Sequence, residues 1–152
     1  NTGDKLPEVL GVDQNGNEIK ASDFRGRKLV LYAYPKDNTS GCTAEACSLR
    51  DNREALAAKG YDVLGISKDS ATSHQKFIDK YDLNFSLIAD TDTTLLQALG
   101  AWGEKTMCDR KCVGTLRTTF LVNEEGIVEH IFTPKQINTK THAEQILAVI
   151  EK

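Results

Sequence analysis

A cysteine at position 42 stands where a strand gives way to a helix. The segment reads Tyr34-Pro35-Lys36-Asp37-Asn38-Thr39-Ser40-Gly41-Cys42-Thr43-Ala44-Glu45-Ala46-Cys47. The run Leu29-Val30-Leu31-Tyr32-Ala33-Tyr34 before Pro35 has strand composition, and a helix is predicted to start near Cys42. A helix N-terminus carries unpaired N–H groups and roughly half a positive charge. Both favour a thiolate, the nucleophilic form, over the thiol. Position alone therefore argues for thiol chemistry at Cys42. Cys47 follows five positions later. In an intact helix, residues five apart have Cα atoms roughly 8.5–9 Å from each other. A disulfide needs less than about 7 Å. A bond between the two cysteines would demand that the helix start unwind; otherwise Cys47 is a core cysteine on a helical face with Leu49 and Leu56.

The chain bounds the possibilities further. Its 152 residues, 39% hydrophobic and 27% charged, suit one domain spanning residues 1–152 with a core of its own. A formal net charge of −3 argues against nucleic acid or an anionic membrane as the main partner. No apolar run approaches the length of a membrane span. No charged-then-apolar leader opens the chain, although Asn1 in first place leaves room for a removed one. A cytoplasmic location is the expectation. The four cysteines fall as two close pairs, Cys42 with Cys47 and Cys108 with Cys112, too few for a disulfide scaffold.

The elements that must position Cys42 can be read from periodicity. Residues 9–12 and 18–20 flank an Asn-Gly turn and read as a hairpin. Residues 28–34 are apolar on both faces and read as a central strand. A long helix is predicted over 44–59, closed by Gly60. A buried strand follows at 61–67, then a helix at 72–81 with Phe77, Ile78 and Tyr81 on one face. Next come a short strand at 85–89 and a short helix at 93–99 ended by Gly100. Strands at 116–122 and 127–132 surround a Gly-containing loop, and a last helix spans 141–151. Residues 102–114 show no clear period. The order implies an α/β fold, a central mixed sheet with helices on both faces and an N-terminal β-hairpin.

Three motifs carry a family resemblance. Pro35-x-x-x-Thr39-x-x-Cys42 resembles the active-site pattern of the peroxiredoxins. Cys42-Thr43-x-Glu45-Ala46-Cys47 is similar to the bacterioferritin-comigratory-protein or Q-type branch of that family. Gly114-Thr115-Leu116-Arg117-Thr118-Thr119-Phe120 resembles the family's later segment, whose arginine lies at the active site. The resemblance covers essentially the whole chain and implies a thioredoxin-like fold. It also implies a thiol-dependent peroxidase acting on hydrogen peroxide and organic hydroperoxides. Cys42 would be the peroxidatic cysteine, oxidised to a sulfenic acid. Thr39 would hydrogen-bond the sulfur and a peroxide oxygen. Pro35 would shield the pocket from water, and Arg117 would supply a fixed positive charge and two donors. Cys47 would be the resolving cysteine of an intramolecular two-cysteine cycle, reset by thioredoxin or a similar dithiol protein. No metal, haem or flavin is implied, and a monomer suffices.

Some features depart from the pattern. Cys108 and Cys112 have no role in it: they read as unpaired loop thiols, as a second disulfide or, with the first pair, as a metal site. Ser40 stands where relatives often have Pro. Glu45 reads as a capping or pairing residue near the first turn, with no chemical role. His74, His130 and His142 are distant from the cysteines in sequence, and the helix terminus with Arg117 suffices to activate Cys42 without them. Two rival functions stay open. A thiol–disulfide oxidoreductase lacks its usual Cys-x-x-Cys spacing here. A non-enzymatic zinc-binding or redox-sensing module would place metal on the nucleophile.

Overall fold

The computed structural model of the chain describes residues 3–24, 26–35, 37, 40–107, 110–133 and 136–150, with backbone alone at 40, 104–107 and 110–113. Its centre is a five-stranded sheet in the order β5-β4-β3-β8-β9. The strands are β3 (Lys28–Ala33), β4 (Tyr61–Ser67), β5 (Ser86–Ala89), β8 (Thr118–Val122) and β9 (Val128–Phe132). β3 pairs parallel to β4, and β4 to β5. On the other side β3 pairs antiparallel to β8, and β8 to β9. The mixed sheet expected from the element order is present.

β3 is apolar from Leu29 onward because both of its faces are covered. Val30, Tyr32 and Tyr34 point into a core shared with α1 (Ser40–Asp51), α2 (Arg53–Ala58), α3 (Ala71–Tyr81) and α5 (His142–Ile150). Leu29, Leu31 and Ala33 point the other way. There they meet Leu10 of β1 (Val9–Val12) and Leu95 and Leu96 of α4 (Thr94–Leu99). β1 and β2 (Glu18–Lys20) form the N-terminal hairpin. Its turn is held by Asp13, whose Oδ1 accepts from the backbone N–H of Asn15 at 2.9 Å and of Asn17 at 3.0 Å. Gly65 of β4 is a requirement of the sheet. A Cβ there would lie 2.6 Å from Leu87 Cδ2 and 3.0 Å from the Tyr32 ring, inside the contact distance of a close-packed core.

Three expectations need correction. The helix predicted over 44–59 starts earlier and is two helices, α1 and α2, divided at Asn52. Asn52 bonds the Ser48 carbonyl with its side-chain Nδ2 at 2.9 Å and with its backbone N–H at 3.2 Å. The backbone bond is the ordinary i→i−4 ladder bond; the side chain adds a second donor to the same carbonyl, a local bond that competes with the regular ladder. Residues 102–114, read as aperiodic, are largely a hairpin. β6 (Trp102–Met107) pairs antiparallel to β7 (Arg110–Thr115) in a sheet of its own. A ribbon that joins no strand of the central sheet has no sheet face to bury, so its sequence lacks strand alternation. The strand predicted from residue 116 begins at Thr118, which leaves Leu116 and Arg117 in the connection from β7.

Candidate active site

Cys42 is the third residue of α1, within the first turn, where backbone N–H groups have no helical acceptor. The early start of α1 thus puts the thiol inside the first turn, whereas a start at residue 44 would leave it two residues before the helix. The side chain is 1% exposed and packs in the core cluster with Tyr32 and Tyr34. Burial, with Glu45 and Cys42 nearby, pushes the Tyr32 phenol well above its ordinary value. It stays neutral beside the sulfur.

Arg117 reaches Cys42 from the β7–β8 connection. Its Nη2 donates to Cys42 Sγ at 3.2 Å, and its Nη1 donates to Glu45 Oε1 at 2.7 Å. Cys42 and Glu45 are one helical turn apart, so one planar guanidinium bridges both. Position 41 lies close to this bond: a Cβ on Gly41 would lie 3.3 Å from Arg117 Nη2, and the guanidinium would have to shift by a few tenths of an ångström. The sequence brought Cys42 and Arg117 together only through the motif; the fold joins them across 75 positions.

Glu45 pairs near the helix start, as its sequence position suggested, but its burial was not legible there. It is fully buried, and its Oε2 faces His142 Nε2 at 3.7 Å with no hydrogen-bond partner among the described residues. His142 Nδ1 meets Gln145 Oε1 at 3.1 Å, and its Nε2 meets Thr119 Oγ1 at 2.7 Å. An amide oxygen only accepts, so Nδ1 carries the hydrogen and Nε2 accepts from the Thr119 hydroxyl. His142 therefore touches the Glu45 side of the site. The signal available in sequence was the three-residue spacing from Cys42, which puts Glu45 on the same helix face.

Burial raises Glu45 from 4.5 to about 7, with Arg117 pulling it down. Between these values the folded state keeps a proton that the unfolded chain has released. Glu45's contribution to stability is thus full below about pH 4.5 and lost as pH rises through 7. Burial lowers His142 from 6.5 to about 4, so its contribution is present above 6.5 and lost as pH falls through 4. Glu45→Gln removes the first slope and leaves the second. From about pH 5 to about pH 8, wild type is expected to lose on the order of 1–3 kcal/mol relative to Glu45→Gln. Urea unfolding at the two pH values measures the difference. A pH-independent gap would mean that Glu45 is ionised throughout.

Pro35 is half-buried just beyond β3, after Tyr34, whose N–H still bonds the Ile66 carbonyl at 3.1 Å. Cys47 lies half-buried in the same unbroken α1 as Cys42, and both are free thiols. Their five-residue spacing in a regular helix is too wide for a disulfide. Thr39, Cys108 and the side chain of Cys112 lie outside the described residues. Backbone pairing places Cys112 opposite Lys105 in the β6–β7 hairpin. Among the described residues, no group of three His, Cys, Asp or Glu side chains could hold a metal ion.

A buried thiol in the first turn of a helix, bridged by arginine to a buried carboxyl on a thioredoxin-like sheet, defines a thiol-based redox enzyme. The AhpC/TSA family matches residues 2–131. The peroxiredoxin Bcp of Escherichia coli K12 is 39% identical over 145 residues, 95% of this chain and 92% of the relative. Among solved structures, the Xanthomonas campestris bacterioferritin comigratory protein, studied for alkyl peroxide reduction, superposes with a TM-score of 0.87 at 29% identity. That match covers 99% of this chain and 98% of the other. A cysteine-to-serine variant of PrxQ from Xylella fastidiosa gives a TM-score of 0.89 at 32% identity, covering 99% and 95%. The chain belongs to the AhpC/TSA family, as a peroxiredoxin of its bacterioferritin-comigratory-protein or Q-type branch. It is a thiol-dependent peroxidase.

Proposed function

We propose that Cys42 is the peroxidatic cysteine of this peroxidase and Cys47 its resolving cysteine. The observation that carries the reading is the Arg117 guanidinium, 3.2 Å from Cys42 Sγ in the first turn of α1. The Cys42 thiolate attacks one oxygen of hydrogen peroxide or an organic hydroperoxide. The O–O bond breaks, sulfur is oxidised to a sulfenic acid, and the departing oxygen takes a proton to leave as water or alcohol. Arg117 stabilises the negative charge as it moves from sulfur to the leaving oxygen. Thr39 supplies a hydroxyl to the sulfur and peroxide, and Pro35 shields the pocket from water. The Cys47 thiolate then attacks the sulfenic sulfur, hydroxide leaves and is protonated to water, and an intramolecular disulfide forms. Thioredoxin or a similar dithiol protein returns both thiols. Sulfur supplies both electrons, so the cycle needs no metal, haem or flavin.

The cycle closes within one chain, which suits a monomeric enzyme built as one domain over 1–152. Among the described residues no helix is long and apolar enough to cross a membrane, and the reading places the enzyme in the cytoplasm, away from nucleic acid and membrane. Peroxide consumption coupled to thioredoxin and its reductase tests the function directly, and no turnover with either class of peroxide would sink it. The disulfide also requires α1 to open. On oxidation, amides around residues 41–49 are expected to lose hydrogen-exchange protection while those of β3 and β4 keep theirs. An oxidised protein with α1 fully protected would leave Cys47 as a core residue.

A further inference from the structure

The loop that delivers Cys42 is tied down by a buried polar cluster with no part in the cycle above. Asp37 lies between β3 and α1, five residues before Cys42. Its Oδ1 accepts from Tyr34 Oη at 2.5 Å, and its Oδ2 accepts from Ser73 Oγ at 2.8 Å and meets His74 Nδ1 at 2.7 Å. Its backbone N–H donates to Asp69 Oδ2 at 2.7 Å. His74 is completely buried, and its Nε2 meets the Ile88 carbonyl of β5 at 2.8 Å. A carbonyl only accepts, so Nε2 carries a hydrogen, and one proton is held between Nδ1 and Asp37 Oδ2. A pair of this kind, sealed from water, costs desolvation and is a weak source of stability, but it admits few alternative geometries. Its members come from the end of β3, the β3–α1 link, the segment after β4, and α3. Tyr34 joins the cluster directly to the core around Cys42.

We propose that Asp37 and His74 are positioning residues for peroxide attack. They lock the β3–α1 link against α3 and β5, so that the first turn of α1 presents Cys42 to Arg117 in register. This rests on the peroxidase reading. The two imidazole nitrogens can be tested apart. Asn at position 74 keeps a donor where Nδ1 stands, toward Asp37. Gln keeps one where Nε2 stands, toward Ile88.

In a Cys47→Ser background, sulfenate formation isolates the attack step and can be followed by dimedone-type trapping against time. His74→Gln is expected to slow it roughly 10–100-fold, as loss of reactive alignment does, while His74→Asn stays within about threefold. A purely structural histidine would make both variants lose rate in step with their melting temperatures. Equal losses, or an unchanged rate in His74→Gln, overturn the positioning role. Tyr34→Phe removes one donor to Asp37 at nearly constant volume and covers the case in which His74→Gln does not fold. About fivefold slowing or more is expected, and an unchanged rate there overturns the role as well. No sulfenate in the Cys47→Ser parent would instead overturn the peroxidase reading, and this one with it.

Discussion

Cys42→Ser is expected to lower peroxide turnover by at least about a thousandfold, because a serine hydroxyl is a far weaker nucleophile at neutral pH than a thiolate. The substitution is nearly isosteric, so the fold should survive and the loss should be chemical. Cys47→Ser separates the two steps. It should oxidise once, accumulate a trappable sulfenic acid near one equivalent per chain, and then stop turning over with thioredoxin. The contrast follows from the site: Cys42 accepts from Arg117, whereas Cys47 lies further along α1. Peroxide consumption and sulfenate trapping on the two variants decide the assignment. Sustained turnover by Cys42→Ser would move the nucleophile elsewhere. Steady turnover by Cys47→Ser would pass the resolving role to another thiol, with Cys108 and Cys112 next in line.

Arg117→Ala should slow the attack step by roughly 10²–10³-fold, the usual cost of removing a preorganised donor from developing negative charge. The variant has a second consequence. Arg117 holds Glu45 below the value burial alone would impose. Without it the carboxyl is pushed further up, and Glu45 Oε1 loses its 2.7 Å donor inside the core. Stability should fall at alkaline pH, where an ionised Glu45 would be buried without its partner. Arg117→Lys should recover only part of the rate. One ammonium is a point donor and cannot bridge Cys42 and Glu45 as the planar fork does. Second-order rates of sulfenate formation measure the effect. A rate within about threefold of wild type in Arg117→Ala would mean that the guanidinium serves Glu45 rather than the sulfur.

Much of this protein could be read from the order of its residues. The apolar run at 29–34, within the strand read over 28–34, marks a strand covered on both faces, and β3 is that strand. The hairpin at 9–20 follows from its Asn-Gly turn, and the two late strands from the loop between them. The place of Cys42 at a helix start was legible because local order determines it: a residue just after a strand and a break falls at a helix terminus wherever that helix packs. The β6–β7 hairpin was hidden, since a ribbon outside the main sheet carries no buried alternation.

The tertiary structure decided what burial and distance decide. Local sequence offers Glu45 as an ordinary first-turn carboxylate. Its full burial against His142 and its bond to an arginine 72 positions away turn it into a group titrating near neutrality. The Asp37–His74 pair spans 37 positions, and His74 alone reads as one more polar residue on an amphipathic helix. Sequence patterns report which face of an element avoids water, because that preference repeats along the chain. They do not report which buried polar group meets which, because each such contact is a single long-range event set by how the helices lie on the sheet.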